Sequence, residues 1–139
     1  SRRLNDSVHE ESPCIQNPYE VYMLVRAEYQ RQKQEILKAI LLNTRNRVLK
    51  VETISIGTFN FSVIHPREIY RLALRHNAAS VILIHNHPSG SLEPSFDDIE
   101  VTKQIAKVGK IIGIRLLDHV IIANENYISL REKSILPFK

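Results

Sequence analysis

Apolar residues recur along parts of the chain at helical spacing, and local capping signals mark where three helices begin. Residues 17–20 combine a capping Asn with a first-turn Pro and Glu, and apolar positions follow at helical spacing to about Gln32. Residues 65–68 begin a second helix with the same Pro and Glu. A third helix is predicted from near Ser95 to just before Gly113, a residue typical of a helix C-terminus.

Short apolar runs rich in Ile, Val and Leu predict five strands. Residues 35–42 and 47–57 form one hairpin, and residues 80–84 form a central strand. Residues 114–123 and 127–130 form a second hairpin. Because helices and strands interleave along the chain, we expect an α/β fold in which helices sandwich a mixed central β-sheet.

Composition and length predict one folded domain. The chain has 139 residues, of which 43% are hydrophobic and 24% charged, so it can build an ordinary core and is not mostly disordered. Residues 1–17 are polar and show no periodicity, which indicates a linker or arm before a domain at residues 18–139. No apolar run approaches the roughly 20 residues that a membrane span needs, so no membrane partner is expected.

The single cysteine and the modest positive charge narrow the function classes. Because Cys14 is the only cysteine, the chain cannot form an intrachain disulfide or a multi-cysteine zinc site. A small domain without disulfides is typical of a reducing compartment, so we expect the protein in the cytoplasm. The net charge of +4 permits contact with nucleic acid without requiring it. Basic residues do recur at helical spacing on two predicted helices, where they more often form solvated faces. They are Arg71 and Arg75 on the second helix, and Lys103, Lys107 and Lys110 on the third.

The stretch that carries candidate chemistry directly follows the predicted central strand. His85 and His87 point to the same side of an extended chain, and imidazole nitrogen is a good zinc ligand. Asp98, in the first turn of the next helix, supplies a third ligand if the intervening loop folds that turn back over the strand end. Sites in α/β sheets form at such strand ends. The alternatives that involve no metal are a structural role for the His-x-His pair and a helix-capping role for Ser95 with Asp98.

Other histidine and phosphate sites are excluded by spacing. The chain has no His-Glu-x-x-His helix, no zinc-deaminase signature, no phosphate-binding loop and no Gly-x-Ser-x-Gly nucleophile elbow. The sequence therefore favours a metal site of the His-x-His type over these alternatives.

The spacing His-x-His-x7-Ser-x2-Asp resembles the motif of the MPN/JAMM zinc metalloprotease family. His-Asn-His-Pro-Ser-Gly, with Leu-Leu-Asp-His at residues 116–119 and Tyr-Ile-Ser-Leu-Arg-Glu at 127–132, is similar to its RadC branch, whose members are often described as DNA repair proteins. The resemblance covers roughly residues 18–132. It implies an MPN/JAB-like fold with cytidine-deaminase-like layering, and a Zn²⁺ ion bound by His85, His87 and Asp98.

The resemblance also implies roles for residues around the metal. Ser95 falls on the family's serine and would help hold developing oxyanion charge. An upstream glutamate would act as general base, and we place it at Glu52, which is in strand phase with inward-facing residues. Glu68 is the second candidate for the general base, because its position in the first turn of a helix is already explained by helix capping. Asp118 and His119 should face opposite ways on a strand, and we interpret both as structural, with a supporting role beside the metal as the minority view.

The function that follows is a zinc-dependent hydrolase that cuts an amide or isopeptide-like bond with a metal-bound water activated by Glu52. The expected partner is a peptide or isopeptide-like substrate. The alternative is a DNA-repair accessory module that binds nucleic acid without hydrolysis, which the basic stripes support only weakly. A silent scaffold of the same fold is a third possibility, and the complete set of site residues argues against it.

Overall fold

The computed structural model describes residues 12–57, 63–135 and 138, so the first eleven residues of the predicted arm lie outside the described part. Three helices and five strands follow in the predicted order within these ranges. They are α1 (Pro18–Tyr29), β1 (Ile36–Leu42), β2 (Val48–Ile56), α2 (Pro66–Arg75), β3 (Ser80–Asn86), α3 (Phe96–Ile112), β4 (Arg115–Ala123) and β5 (Asn126–Ser129). None of the described helices has both the length and the apolarity to cross a membrane.

The five strands form one mixed sheet in the order β2-β1-β3-β4-β5. β3 and β4 run parallel and are joined by α3, whereas the other neighbouring pairs are antiparallel. β3 is therefore the central strand, as predicted, and it is paired along both of its edges.

Helices cover both faces of this sheet, which confirms the predicted sandwich. Val21 and Val25 of α1 pack against one face, and residues of α2 and α3, such as Ile69 and Ile105, pack against the other. β1 and β3 are buried along their whole length because both of their faces are covered. Their near-continuous apolar sequences follow from this position.

Part of the predicted N-terminal arm belongs to the folded domain. The Ile15 amide donates to the Asn46 carbonyl at 2.8 Å, and the Val48 amide donates to the Pro13 carbonyl at 2.9 Å. The Ile15 side chain is buried in the core on the α1 side of the sheet. The fold therefore begins before residue 18, because Ile15 is part of the core. The polar residues around Ile15 in the chain gave no indication of this.

β3 is two residues longer than the apolar run that predicts it. It extends through His85 and Asn86, because these residues continue the parallel pairing with Ile121 and Ile122 of β4. His85 was expected directly after the strand and instead lies in it, paired with Leu37 of β1 and Ile121 of β4.

Candidate metal centre

The predicted site residues converge at the carboxyl end of β3, beneath the first turn of α3. His85 lies in β3, and His87 follows directly after the strand. The chain then reverses through Gly90, which has φ of +93° and donates its amide to the His87 carbonyl at 3.0 Å. The reversal returns Asp98, in the first turn of α3, to the strand end, as predicted from the sequence.

The Asp98 carboxylate contacts both histidines. Its Oδ1 lies 3.1 Å from His85 Nε2, and its Oδ2 lies 2.9 Å from His87 Nε2. His85 and Asp98 are fully buried, whereas His87 reaches towards the surface. The structure therefore brings together all three residues that the sequence analysis expected to bind metal.

Ser95 caps α3 and orients the Asp98 side chain. The Asp98 amide donates to Ser95 Oγ at 3.0 Å, and the Ser95 amide donates to Asp98 Oδ2 at 2.7 Å, which together form a capping box. The capping interpretation of these residues is therefore confirmed. It does not compete with the site, because the capping carboxylate is the one that faces the histidines.

The side chains of this cluster shift one another's pKa values. Burial alone would raise the pKa of Asp98, but the close approach of the His85 and His87 rings outweighs it and holds the pKa well below its ordinary value. The hydrogen bond to Asp98 raises the pKa of His87 in turn. The carboxylate is thus kept ionised beside two imidazoles, an environment suited to a bound cation.

Glu35 is a fourth side chain at the site, and the sequence analysis missed it. One ligand atom each of Glu35, His85 and His87 lies within 4.8 Å of the others. Leu37 of β1 pairs with His85 in antiparallel register, so continuing that register by two residues brings Glu35 opposite His87 and onto the same face. The signal in the sequence was a carboxylate directly before a strand that is apolar except for Lys38, in phase with Leu37.

Asn86 holds the backbone on both sides of Glu35. Its Oδ1 accepts from the Ile36 amide at 2.7 Å, and its Nδ2 donates to the Gln34 carbonyl at 3.0 Å. The Glu35 carbonyl itself accepts from the Gly57 amide at 2.7 Å. The entry to β1 is therefore fixed against the end of β3.

Glu52 does not reach this cluster, and its predicted place over the metal site is wrong. It pairs across β2 and β1 with Ala39, which pairs in turn with Leu83 of β3, two residues before His85. Glu52 Oε1 lies instead 3.8 Å from Nε2 of His76, at the end of α2. The residue faces inward as its strand phase predicted, but at the wrong level of the sheet and with β1 between it and β3.

His119 contacts the site from β4, contrary to the favoured structural interpretation. Its Nε2 lies 2.8 Å from His85 Nδ1, and its Nδ1 lies 2.6 Å from Thr102 Oγ1. Thr102 Oγ1 donates to the Asp98 carbonyl at 2.5 Å. Burial lowers the pKa of His119, and the neighbouring His85 lowers it further, so its pKa lies well below the ordinary value.

Asp118 faces the opposite side of β4, as predicted, and is structural. Its carboxylate accepts from the Ser129 hydroxyl at 2.5 Å and from the backbone amides of His119 at 2.7 Å and Arg131 at 3.1 Å. Burial raises the pKa of Asp118, an effect that the Ser129 hydrogen bond partly offsets. Asp118 thereby fastens the turn after β5 and takes no part in the histidine cluster.

Residues 15–135 match the sequence profile of the RadC-like JAB domain. The chain belongs to this family. It is 53% identical over 122 residues to a UPF0758 protein of Clostridium tetani, covering 88% of this chain and 54% of that protein. It is 47% identical over 137 residues to a UPF0758 protein of Halalkalibacterium halodurans, covering 99% of this chain and 59% of that protein. The chain thus spans little more than half the length of these relatives.

Two clefts of this RadC-like JAB domain meet beside the metal-ligand candidates. A cleft of about 490 Å³ is lined by Arg26 and Arg31, and a second of about 470 Å³ is lined by Glu35. His87 and Pro88 border both clefts. His87 and Glu35 are therefore open to a ligand from the surface, whereas His85 supports them from the interior.

Proposed function

We propose that this domain is a zinc-dependent hydrolase that cleaves an amide or isopeptide-like bond, with Glu35 as the general base. The observation that carries the proposal is the convergence of His85 Nε2, His87 Nε2 and the Asp98 carboxylate beside Glu35 at the end of β3. The RadC-like JAB family assignment supports the same chemistry.

Hydrogen-bond directions support a cation between Asp98 and His87. The Ser91 carbonyl can only accept, so His87 Nδ1 donates to it across 2.7 Å. Neutral His87 then presents the Nε2 lone pair to Asp98 Oδ2 at 2.9 Å. Two acceptors at this distance need a positive charge between them, which a proton or a metal ion supplies.

The donor set and its spacing suit zinc. Two imidazoles and one carboxylate are a typical set of protein ligands at catalytic zinc sites. Asp98 Oδ1 lies 3.1 Å from His85 Nε2, and Asp98 Oδ2 lies 2.9 Å from His87 Nε2, so the three side chains are close enough together to hold one ion. We therefore assign His85, His87 and Asp98 as the ligands.

Glu35 is placed to move protons. Zinc, when bound, lowers the pKa of a coordinated water to about 7 and polarises the substrate carbonyl. Glu35 is half-buried and borders a cleft, whereas Asp98 is fully buried. In our proposal the Glu35 carboxylate takes the proton of the attacking water and returns it to the leaving amine nitrogen.

Ser95 is proposed to hold the developing charge on the substrate oxygen. Its Oγ accepts from the Asp98 amide, so the accepting side of the hydroxyl is engaged by the helix cap. The hydroxyl proton can then be donated to a substrate oxygen. The same residue would thus orient a metal ligand and assist the reaction.

Nucleic-acid binding receives less support than hydrolysis. Two members of the basic stripes form ion pairs within their own helices, Arg71 with Glu68 at 2.7 Å and Lys103 with Glu100 at 3.3 Å. These pairs reduce the positive charge that the stripes would offer to phosphates. We therefore propose hydrolysis and not nucleic-acid binding as the function of this chain.

Metal content tests the proposal directly. Elemental analysis after dialysis against zinc should give one zinc ion per chain for the wild-type protein and none for His85→Ala. The matched control is His76→Ala, which removes a histidine outside the cluster and should keep the zinc. Stoichiometric zinc in His85→Ala, or none in the wild-type protein, would refute the proposed site.

Activity is tested separately with a library of internally quenched peptides. Cleavage should disappear when a chelator removes the metal and return when zinc is added back. Zinc binding without cleavage of any peptide or isopeptide-linked probe would contradict the hydrolase proposal and leave the metal site standing.

A further inference from the structure

A buried chain of hydrogen bonds lies behind the proposed metal ligands and has no part in the reaction described above. It runs from the Asp98 carbonyl through Thr102 and His119 to His85. Thr102, His119 and His85 are all fully buried. The three come from α3, β4 and β3, so only the folded domain brings them into line.

The direction of each hydrogen bond in this series follows from the first acceptor, the Asp98 carbonyl. The Asp98 carbonyl can only accept, so Thr102 gives its single hydroxyl proton to it. Thr102 Oγ1 must then accept from His119 Nδ1, which places the ring proton of His119 on Nδ1.

The same logic passes through His119 to His85. His119 Nε2 and His85 Nδ1 lie 2.8 Å apart, so one of these two nitrogens donates a proton to the other. Neutral His119 with its proton on Nδ1 accepts at Nε2. His85 must therefore donate from Nδ1, which leaves its Nε2 lone pair facing Asp98 Oδ1.

We propose that Thr102 and His119 are positioning residues that fix the ring proton of His85 on Nδ1 and so keep Nε2 available for the metal. This inference rests on the proposed metal site. His87 obtains the same tautomer from the Ser91 carbonyl, which lies close by in the loop. His85 lies inside the sheet, so the acceptor is supplied through His119.

The positions of the ring protons are the first test. Long-range nitrogen-15 to proton correlation spectra of the metal-free wild-type protein report which ring nitrogen of each histidine carries a proton. We expect protons on Nδ1 of His119 and on Nδ1 of His85. A proton on Nε2 of His119 would reverse the chain and overturn the inference, whether or not zinc binds.

The second test compares two substitutions of Thr102 by their zinc affinity in competition with a chelator. Thr102→Val keeps the shape and removes the hydroxyl, so His119 loses the acceptor that fixes its tautomer. We expect its zinc affinity to fall by about 10–100-fold, the usual effect of losing such a partner. Thr102→Ser keeps the hydroxyl and should bind zinc within a few-fold of the wild-type protein.

The pair separates positioning from packing. If Thr102 acted only through packing, Thr102→Ser, which loses the methyl group, would be the weaker variant. Wild-type affinity in Thr102→Val, with zinc bound by the wild-type protein, overturns this inference alone. Failure of the wild-type protein to bind zinc overturns the proposed metal site as well. If Thr102→Val does not fold, the positions of the ring protons of His119 and His85 in the wild-type protein test the inference.

Discussion

Among the single residues, Glu35 and Glu52 differ in what their carboxylates face, and this difference gives a direct test of the proposed base. Glu35 lies with His85 and His87 at the site, whereas Glu52 faces His76. Glu35→Gln keeps the shape and loses the proton acceptor. It should bind zinc as the wild-type protein does and lower the hydrolysis rate by about 10²–10⁴-fold.

Glu52→Gln is the matched control, because it makes the same chemical change on the neighbouring strand. It should leave both zinc affinity and the hydrolysis rate within a few-fold of the wild-type values. Loss of zinc in Glu35→Gln would instead make Glu35 a ligand. A large rate loss in Glu52→Gln would restore the glutamate that the sequence favoured.

The sequence could predict which face Glu52 occupies but not which residue it meets there. Strand alternation assigns Glu52 to the inner face, and the structure agrees. Its neighbour depends on the register of β2 with β1 and of β1 with β3, which is set by pairing between distant segments. His85, His87 and Asp98 were predictable because one short loop connects them.

At the scale of elements, α2 and α3 approach each other closely at Gly109. A Cβ atom added there would clash with both the Tyr70 hydroxyl oxygen and the Ile114 carbonyl oxygen. Exchange of Gly for Ala inside a helix ordinarily stabilises by roughly 0.5–1 kcal/mol. Here the clash reverses the sign, and Gly109→Ala should lower the free energy of unfolding by about 1–3 kcal/mol.

Urea unfolding followed by circular dichroism measures this effect. Gln104→Ala, at an exposed position of α3, is the control and should stay within about 0.5 kcal/mol of the wild-type protein. A Gly109→Ala variant as stable as the wild-type protein would show that α2 and α3 can move apart without loss.

The junction of β1 with β3 depends on the Asn86 side chain. Asn86→Ala removes the acceptor of the buried Ile36 amide and the donor to the Gln34 carbonyl. An unsatisfied buried group of this kind costs about 1–3 kcal/mol, so the urea midpoint should fall accordingly. Gln34→Ala is the control, since it keeps the backbone carbonyl that Asn86 uses, and its midpoint should be unchanged.

Helix starts were predictable from sequence to within a residue or two, but the end of β3 was not. The Asn17 side chain accepts from the Glu20 amide, and Ser95 forms its capping box with Asp98, so both signals act within four residues. The extension of β3 through His85 depends on pairing with β1 and β4. Polar residues at a strand end carry no local sign of that pairing.

At the scale of the whole molecule, the proposed metal centre joins parts of the chain that the unfolded state keeps apart. Glu35 precedes β1, His85 lies near the end of β3, Asp98 lies in the first turn of α3, and His119 lies in β4. The centre therefore sits where four elements meet, at the end of the central strand of the sheet. Their common position means that a metal ion bound there would link the sheet to α3, and its binding would be coupled to folding.

This coupling gives a final prediction for the stability of the whole domain. An ion that binds the folded chain and not the unfolded one raises the free energy of unfolding by about 2.7 kcal/mol at a free concentration of 100 Kd. Zinc should therefore raise the midpoint of thermal unfolding of the wild-type protein, and a chelator should reverse the rise. His87→Ala removes a ligand near the surface and should abolish the zinc-dependent shift, whereas His76→Ala should keep it in full. An equal shift in His87→Ala would mean that zinc stabilises the domain from another place, because the cluster at the end of β3 would then not be the site that binds it.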